Sequence, residues 1–401
     1  MTSTAERLRA LEGLRFASRD WFQAATIAYF STFKYRHNLR NTERQYAALY
    51  LGADYGRYVT HLLVENIMVF DVDTLRYPFI ETLSLCHRAP TRQIIDLARN
   101  CPRLWRLKIP ELSCCPDRRA RDAAASGHQL GELAAAPTPY YKLFVALANK
   151  ITHLEIDLVN LRSIHESRVL DLLSNLLHLK IRDLCGGASQ GAAASRHKRK
   201  YRLKSLEISY IYRGSGVPDF DLLCGFEAAL FPRLEALKLP SHSGIDLTCT
   251  STFFTQGLPN LRALSVHASD ADFVRMVVRS CPNLECLELL IYYYRNPGAD
   301  GDNDSPTRHV GDVAGIAIGG LHRLVSLSVF NDKLNALTGK YKAYFVAPEL
   351  FPDRPRFRHF ITDAPLPSWS VDEARSRITC FEFGAATCQL QRQQAVASVL
   401  S

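Results

Sequence analysis

The chain has 401 residues, a mass of 45.1 kDa, a formal net charge of +9 and 47% hydrophobic residues. With 22% charged residues and aliphatic residues along its whole length, it is unlike disordered chains, collagen-like repeats and small disulfide scaffolds. No apolar run reaches the roughly 18 residues that a membrane helix needs, and charged residues interrupt the N-terminal hydrophobic steps. We therefore expect a globular intracellular protein, cytoplasmic and/or nuclear, with no membrane association.

Residues 1–50 are dense in helix formers and contain no proline. Apolar residues recur at helical spacing on both sides of Ser18, the second group running from Trp21 to Phe33. This pattern predicts two or three short helices joined near Gly13 and Ser18. We expect these helices to form a separate N-terminal segment.

A triplet of the form aliphatic-x-x-aliphatic-x-aliphatic recurs along the rest of the chain. Each triplet predicts a short strand with alternate side chains in a core. The triplets start at Val59, Ile80, Leu104, Ile151, Leu176, Leu203, Leu234, Leu261, Leu284 and Leu324, with weaker aromatic versions at Phe357 and Ile378.

Proline marks the turn into four of these strands. Proline ends a helix and biases the preceding residue toward extended backbone. Helical patterns over 91–100 and 270–280 precede the two joints that contain Cys-Pro, so each unit there is predicted to be helix, turn and strand. Because one such unit cannot bury both its strand and its helix, the units must stack with their strands parallel. The four joints are Cys101-Pro102-Arg103-Leu104, Phe231-Pro232-Arg233-Leu234, Leu258-Pro259-Asn260-Leu261 and Cys281-Pro282-Asn283-Leu284.

These joints and triplets resemble the leucine-rich-repeat family, and more narrowly the cysteine-containing repeats of F-box proteins, in which Cys-Pro-x-Leu precedes Leu-x-Leu. The resemblance implies an α/β fold: a right-handed α/β horseshoe solenoid with a parallel sheet on its concave face. It covers residues 57–390. Polar or low-complexity inserts at 114–139, 186–200 and 295–312 make the period irregular.

The segment LRFASRDWFQAA resembles the second half of an F-box, with Leu14, Ser18, Arg19 and Trp21 at the recurring positions. The resemblance implies docking to a Skp-family adaptor through Leu14, Arg19 and Trp21, and recruitment of substrates to a Skp–cullin–F-box ubiquitin ligase. The Leu-Pro-x-Glu stretch that normally opens an F-box is missing or degenerate in this sequence. The alternative is that residues 1–50 only cap the hydrophobic end of the solenoid.

The chemistry search finds no catalytic constellation, and we expect neither enzyme activity nor a cofactor. The nucleophile-elbow and phosphate-loop motifs are absent, as are HExxH and Cys-x-x-Cys. The eleven cysteines lie mostly in apolar contexts, which favours buried thiols over metal ligands. Asp300, Asp302 and Asp304 alternate like the start of a calcium loop, but Gly311 stands where the closing glutamate belongs. No metal site is predicted.

One run of charge stands out: residues 196–204 hold six bases and no acid, and follow a stretch of Gly, Ala and Ser. Its centre, Lys198, Arg199 and Lys200, is typical of a nuclear-import signal or of a contact for an acidic surface. The alternative is a solvated loop flank.

In a leucine-rich solenoid, the non-aliphatic strand positions form rows on the concave face. A nucleic-acid groove would be uniformly basic, whereas these positions carry both signs, which favours a protein target. We therefore predict a non-enzymatic binding protein, a monomer within a complex; a scaffold without a ubiquitin-ligase link is the alternative. The predicted contact residues are Arg106, Lys108, His153, Glu155, Asp157, His178, Lys180, Arg182, Glu207, Lys238, His267 and Glu288, with Ser265, Ser328 and Glu382 in the same rows.

Overall fold

The chain divides into two compact units, Met1–Ser189 (unit 1) and Gln190–Ser401 (unit 2), each described here by itself. The computed structural model describes residues 18–35, 58–64, 79–86, 92–112, 140–160, 169–185, 200–212, 231–239, 254, 257–268, 271–291, 306–331, 340–346, 356–357, 359–362 and 378–384.

In unit 1 the described strands form one parallel array in chain order, β1 to β6. Helices alternate with several of these strands. The elements are α1 Arg19–Phe30, β1 Thr32–Tyr35, β2 His61–Val64, β3 Thr82–Leu85, α2 Arg92–Asn100, β4 Arg106–Leu112, α3 Tyr141–Leu147, β5 His153–Asn160, α4 Val169–Leu172 and β6 His178–Cys185.

In unit 2 the described strands β7 to β11 follow one another in parallel, and β13 continues that order. β12 then lies antiparallel between β13 and β14. The elements are β7 Ser205–Tyr212, β8 Ala236–Lys238, β9 Ala263–Ala268, α5 Ala271–Ser280, β10 Cys286–Ile291, α6 Pro306–Gly320, β11 Ser326–Asn331, β12 Lys340–Val346, β13 His359–Thr362 and β14 Ile378–Gly384.

The predicted triplets are confirmed as the core of both units. All three aliphatic side chains of every triplet from Val59 to Leu324 are buried, with at most 6% of any of them exposed. Each of these strands begins two residues after the start of its triplet. Parallel strands carrying such buried triplets, with a helix before several of them, fit a leucine-rich-repeat solenoid.

The proline joints form tight turns of one geometry. The amide of Leu104 donates to the carbonyl of Cys101, and the amide of Leu284 donates to that of Cys281, at 3.4 and 3.2 Å. Both thiols are fully buried, and this burial raises the pKa of each to about 12. The helices predicted before these two joints are confirmed as α2 and α5.

Two kinds of hydrogen bond connect successive repeats. In most of the described repeats, the backbone carbonyl of the residue after the first aliphatic accepts two amides from the next repeat; Trp105, for example, accepts from Thr152 and His153 at 2.9 and 3.1 Å. At the proline joints, the side-chain amide of Asn260 donates to the carbonyl of Pro232 at 2.7 Å. Asn283 repeats this contact with Pro259 at 2.8 Å. The repeats that start at Leu234, Leu261 and Leu284 are therefore joined along both the strand and the turn.

Three features differ from the sequence-based predictions. Residues 1–50 were expected to be helical, but Thr32–Tyr35 form strand β1, paired in parallel with β2. The predicted insert 295–312 ends in the first turns of helix α6, which begins at Pro306, because proline fits the first turn of a helix. The weak triplet at Ile378 forms β14, which is antiparallel to β12 and does not continue the parallel series.

Candidate partner-binding face

The side chains that alternate with the buried aliphatic residues along the strands define an open face on each unit. On unit 1, strand register brings Arg106, His153 and His178 side by side in one row. Lys108, Glu155 and Lys180 form the next row, and Asp157 and Arg182 lie two residues further along β5 and β6. The structure thus brings together the eight residues of unit 1 that were predicted to contact a partner.

A cluster of ion pairs occupies the centre of this open face. Lys108 Nζ lies 2.8 Å from Glu155 Oε1 and 3.1 Å from Asp157 Oδ1. Arg106 Nη2 lies 3.2 Å from Glu155 Oε2. Arg182 lies 3.8 Å from Glu155 and 3.5 Å from Asp157. Three bases therefore share two carboxylates.

Glu155 is the most deeply placed member of that cluster, with 11% of its side chain exposed. Burial alone would raise the pKa of this carboxyl group. The hydrogen bond and charge of Lys108, followed by the hydrogen bond from Arg106, outweigh burial and lower the pKa below its ordinary value. Glu155 therefore stays ionised and holds the surrounding bases in place. Because only 11% of its side chain is exposed, Glu155 itself offers little surface to a partner.

An aromatic strip runs beside the charges. The rings of His153 and His178 stack with centroids 4.0 Å apart, and the Trp105 ring meets His153 edge-on at 4.6 Å. Burial, then the charges of His178 and Arg106, lower the pKa of His153 to about 4. His153 is therefore neutral at pH 7 and offers a flat, weakly polar surface.

A further histidine begins the same row. His61 Nε2 lies 2.8 Å from Ser84 Oγ on the neighbouring strand. Burial, followed by the charges of Arg106 and Lys108, lowers the pKa of His61. This imidazole is also neutral at pH 7, so neither His61 nor His153 adds positive charge to the open face.

On the open face of unit 2, one ion pair and one hydrogen bond join side chains of neighbouring strands. Lys238 Nζ lies 3.3 Å from Glu207 Oε1, and Ser265 Oγ donates to Glu288 Oε1 at 3.2 Å. Ser328, predicted to lie in the same row, is buried with 5% of its surface exposed. These residues are brought together by the register of β7 to β11 as predicted.

Sequence reasoning missed a row of charges in unit 2, called here the leading row. It consists of the residues directly after the first aliphatic of four successive triplets: Lys204, Glu235, Arg262 and Glu285. Lys204 Nζ lies 3.0 Å from Glu235 Oε1. Arg262 contacts both carboxylate oxygens of Glu285, at 3.1 and 2.9 Å, in a bidentate pair. The alternation of Lys, Glu, Arg and Glu over four successive triplets was the signal that would have found this row.

The N-terminal helix carries an exposed aromatic residue. Ser18 caps α1, its hydroxyl accepting from the amides of Asp20 and Trp21 at 3.2 and 3.3 Å. The Trp21 side chain is 69% exposed, and Ile27 on the same helix is 46% exposed. Arg19 is also exposed, while Leu14 lies outside the described residues.

Other predicted residues fall partly outside what the structure describes. Lys198 and Arg199 lie outside it, as do the side chains of His267 and Glu382; Lys200 is exposed at the start of the described segment 200–212. In the described part of the chain, no group of three or more His, Cys, Asp or Glu is placed to hold a metal ion. None of the described helices is long and apolar enough to span a bilayer.

Comparison with known proteins adds only weak structural likeness. No protein-family model and no curated protein matches the chain. Among solved structures, the chain is similar to an internalin from Listeria monocytogenes str. 4b F2365, at 12% sequence identity and a TM-score of 0.24. The match covers 69% of this chain and 75% of the internalin. A TM-score of 0.24 is too low to support a fold assignment, which rests instead on the chain's own parallel strands and buried triplets.

Proposed function

We propose that the chain is a non-enzymatic protein-interaction module that binds a target protein on the open face of its repeats. The observation that carries the proposal is the open face of unit 1, where charged and aromatic side chains of the neighbouring strands β4, β5 and β6 lie in register. Parallel strands with buried triplets hold such side chains in fixed rows, which suits recognition of a protein surface by matched charge and shape.

The test is quantitative affinity purification from cells with three forms of the full chain. The first is wild type, the second carries His178→Ala with Arg182→Ala on the open face, and the third carries Lys142→Ala on the exposed side of α3. We expect one or more proteins to be recovered with wild type and with Lys142→Ala, and to be lost with the open-face variant. Equal recovery with all three forms would contradict binding through the open face.

We propose further that the bound target is a substrate of a Skp–cullin–F-box ubiquitin ligase. The N-terminal helix α1 would bind the Skp-family adaptor of that ligase, while the open face binds the target. The observation that supports this step is the 69% exposed indole of Trp21 on α1, because exposed tryptophans are common anchors of protein interfaces. The second candidate is a scaffold without a ubiquitin-ligase link, in which α1 only covers the end of the repeats.

A purified Skp-family adaptor distinguishes these two candidates. Under recruitment, wild type retains the adaptor and Trp21→Ala loses it, with an affinity loss of about thirtyfold, the usual effect of removing a tryptophan hot spot. Tyr141→Ala serves as the control, since this aromatic residue is 40% exposed on α3. Failure of the wild-type chain to retain the adaptor would leave the scaffold.

The place of action follows as a proposal from the same reasoning: the cytoplasm and/or the nucleus, with Lys198, Arg199 and Lys200 as the import signal. A fluorescent fusion in which these three residues are replaced by alanine should lose its nuclear fraction relative to wild type. An unchanged distribution would favour the solvated loop flank.

A further inference from the structure

The open faces of the two units differ in charge balance. On unit 2, Glu207 is paired with Lys238, and in the leading row Lys204 and Arg262 are paired with Glu235 and Glu285. On unit 1, four bases surround two acids: Arg106, Lys108, Lys180 and Arg182 against Glu155 and Asp157. The open face of unit 1 therefore carries an excess of two positive charges at its centre.

The depth of these side chains strengthens the asymmetry. The carboxylate side chains are the more buried ones, with 11% of Glu155 and 28% of Asp157 exposed. The guanidinium-bearing side chains stand above them, 45% exposed for Arg106 and 49% for Arg182. A partner approaching this face meets the bases first.

Within the part of the chain that the structure describes, the contacts of Arg182 leave guanidinium donors for a partner. Its contacts with Glu155 and Asp157, at 3.8 and 3.5 Å, are longer than the 2.7–3.2 Å of an N–H···O hydrogen bond. Both are therefore attractions between charges, and the guanidinium donors are not used up by them. A planar guanidinium with unused donors binds a carboxylate through two parallel hydrogen bonds.

The surroundings define the rest of the surface. The stacked rings of His153 and His178 adjoin Arg106, which itself contacts Glu155. Because the pKa of His153 is lowered to about 4, the His153 ring adds no charge at pH 7. The other described acids of these strands, Glu81, Glu111 and Asp183, lie just before β3 and in the second halves of β4 and β6, away from the central rows.

From this arrangement we propose that the open face of unit 1 binds an acidic segment of the target protein. Arg106, Lys180 and Arg182 contact its Asp or Glu side chains, and the His153–His178 stack packs against an apolar side chain next to them. The inference rests on the proposed function, since it names the chemistry of the partner that the open face takes.

Selection of random peptides on the full chain provides the test. A displayed peptide library is enriched on wild-type chain, and the best peptides are synthesised with a fluorescent label and titrated against three forms of the protein. These are wild type, Arg106→Gln with Arg182→Gln, and Lys142→Gln on α3 as a control that removes an exposed positive charge away from the open face. Circular dichroism verifies that each form is folded.

The expected result is enrichment of Asp and Glu beside an apolar residue. The affinity of these peptides should fall about tenfold or more in the double variant, remain within about twofold in Lys142→Gln, and weaken with salt. Enriched peptides that are neutral or basic, yet are lost in the double variant, would overturn the acidic partner and leave the proposed function standing.

Two further outcomes would contradict binding of a protein on this face. If no peptide is enriched, or if the enriched peptides bind the double variant as well as wild type, the proposed function itself fails on this face. A single-stranded oligonucleotide that binds wild type more tightly than the acidic peptides, and is lost in the double variant, would replace the protein partner with a nucleic acid.

Discussion

Replacing Glu155 with glutamine removes the charge around which the bases of unit 1 gather. The carboxylate accepts hydrogen bonds from Lys108 at 2.8 Å and from Arg106 at 3.2 Å, and Arg182 lies within 3.8 Å. Glutamine keeps the shape and one acceptor oxygen but leaves the bases facing Asp157 alone. We therefore expect Glu155→Gln to lower the free energy of unfolding of unit 1.

The size of the effect follows from the exposure of the cluster. Breaking a fully buried ion pair costs about 3–5 kcal/mol, whereas an exposed pair contributes about 0–1 kcal/mol. Glu155 is near the buried limit, but the side chains of Lys108 and Arg182 are 26% and 49% exposed and regain water when the charge is lost. An intermediate loss of about 1–2 kcal/mol is expected.

The assay is thermal and urea unfolding followed by circular dichroism, with Asp96→Asn as the matched control. Asp96 also contacts two bases, Arg92 and Arg99, but its side chain is 41% exposed on α2 of the same unit. Its replacement should cost no more than about 0.5 kcal/mol, because water screens exposed pairs within a helix.

The effect of Glu155→Gln also has a defined pH dependence. The folded pKa of Glu155 lies below the unfolded value of about 4.3, so the folded state binds the proton less readily. The stabilisation is complete above the unfolded pKa and is lost as the pH falls through the folded pKa. The gap between wild type and Glu155→Gln should thus be full at pH 7 and close in acid. Equal stability at pH 7, or a gap that ignores pH, would refute the reasoning.

Three further predictions concern the repeats. In α6, a Cβ at Gly320 would lie 2.2 Å from Val278 Cγ1, so Gly320→Ala should destabilise by about 1–3 kcal/mol, whereas Gly315→Ala meets no atom within 4 Å and should stabilise by about 0.5–1 kcal/mol; equal unfolding midpoints would contradict this packing. His153 has a folded pKa of about 4 and an unfolded value near 6.5, so it should make the wild-type chain lose stability as the pH falls from 6.5 to 4. His153→Phe should reduce that loss in a pH series of melts, with the contribution of His61 remaining, and an unaltered slope would count against it. Asn260→Ala removes a 2.7 Å hydrogen bond between joints and should cost about 0.5–1.5 kcal/mol in urea unfolding; no loss would mean that water replaces the contact.

The core of the repeats was predictable because its signal is local. The spacing of one triplet, such as Leu104, Leu107 and Ile109, fixes which side chains face inward, and all three are buried. Proline in the joint then fixes where the helix ends and the strand begins, as at Cys101-Pro102. The strand register followed from the same spacing, since each strand starts at the same point of its triplet.

What the sequence reasoning missed has physical reasons of two kinds. β1 lies within the aromatic triplet Phe30-x-x-Phe33-x-Tyr35. Phe33 also continues the helical spacing that begins at Trp21, so this segment was assigned to a helix. The pairs of the leading row, such as Arg262 with Glu285, join residues that become neighbours only when the repeats stack. The depth of Glu155 likewise depends on bases from two neighbouring strands, which no single repeat reveals.

The most direct test of the central claim is photo-cross-linking from single positions of the full chain in cells. A photoreactive amino acid is placed at Arg182, on the open face of unit 1, or at Lys142, on the exposed side of α3. The open-face account predicts a discrete cross-linked protein from position 182 and none from position 142. The same adduct from both positions, or an adduct from position 142 alone, would contradict it.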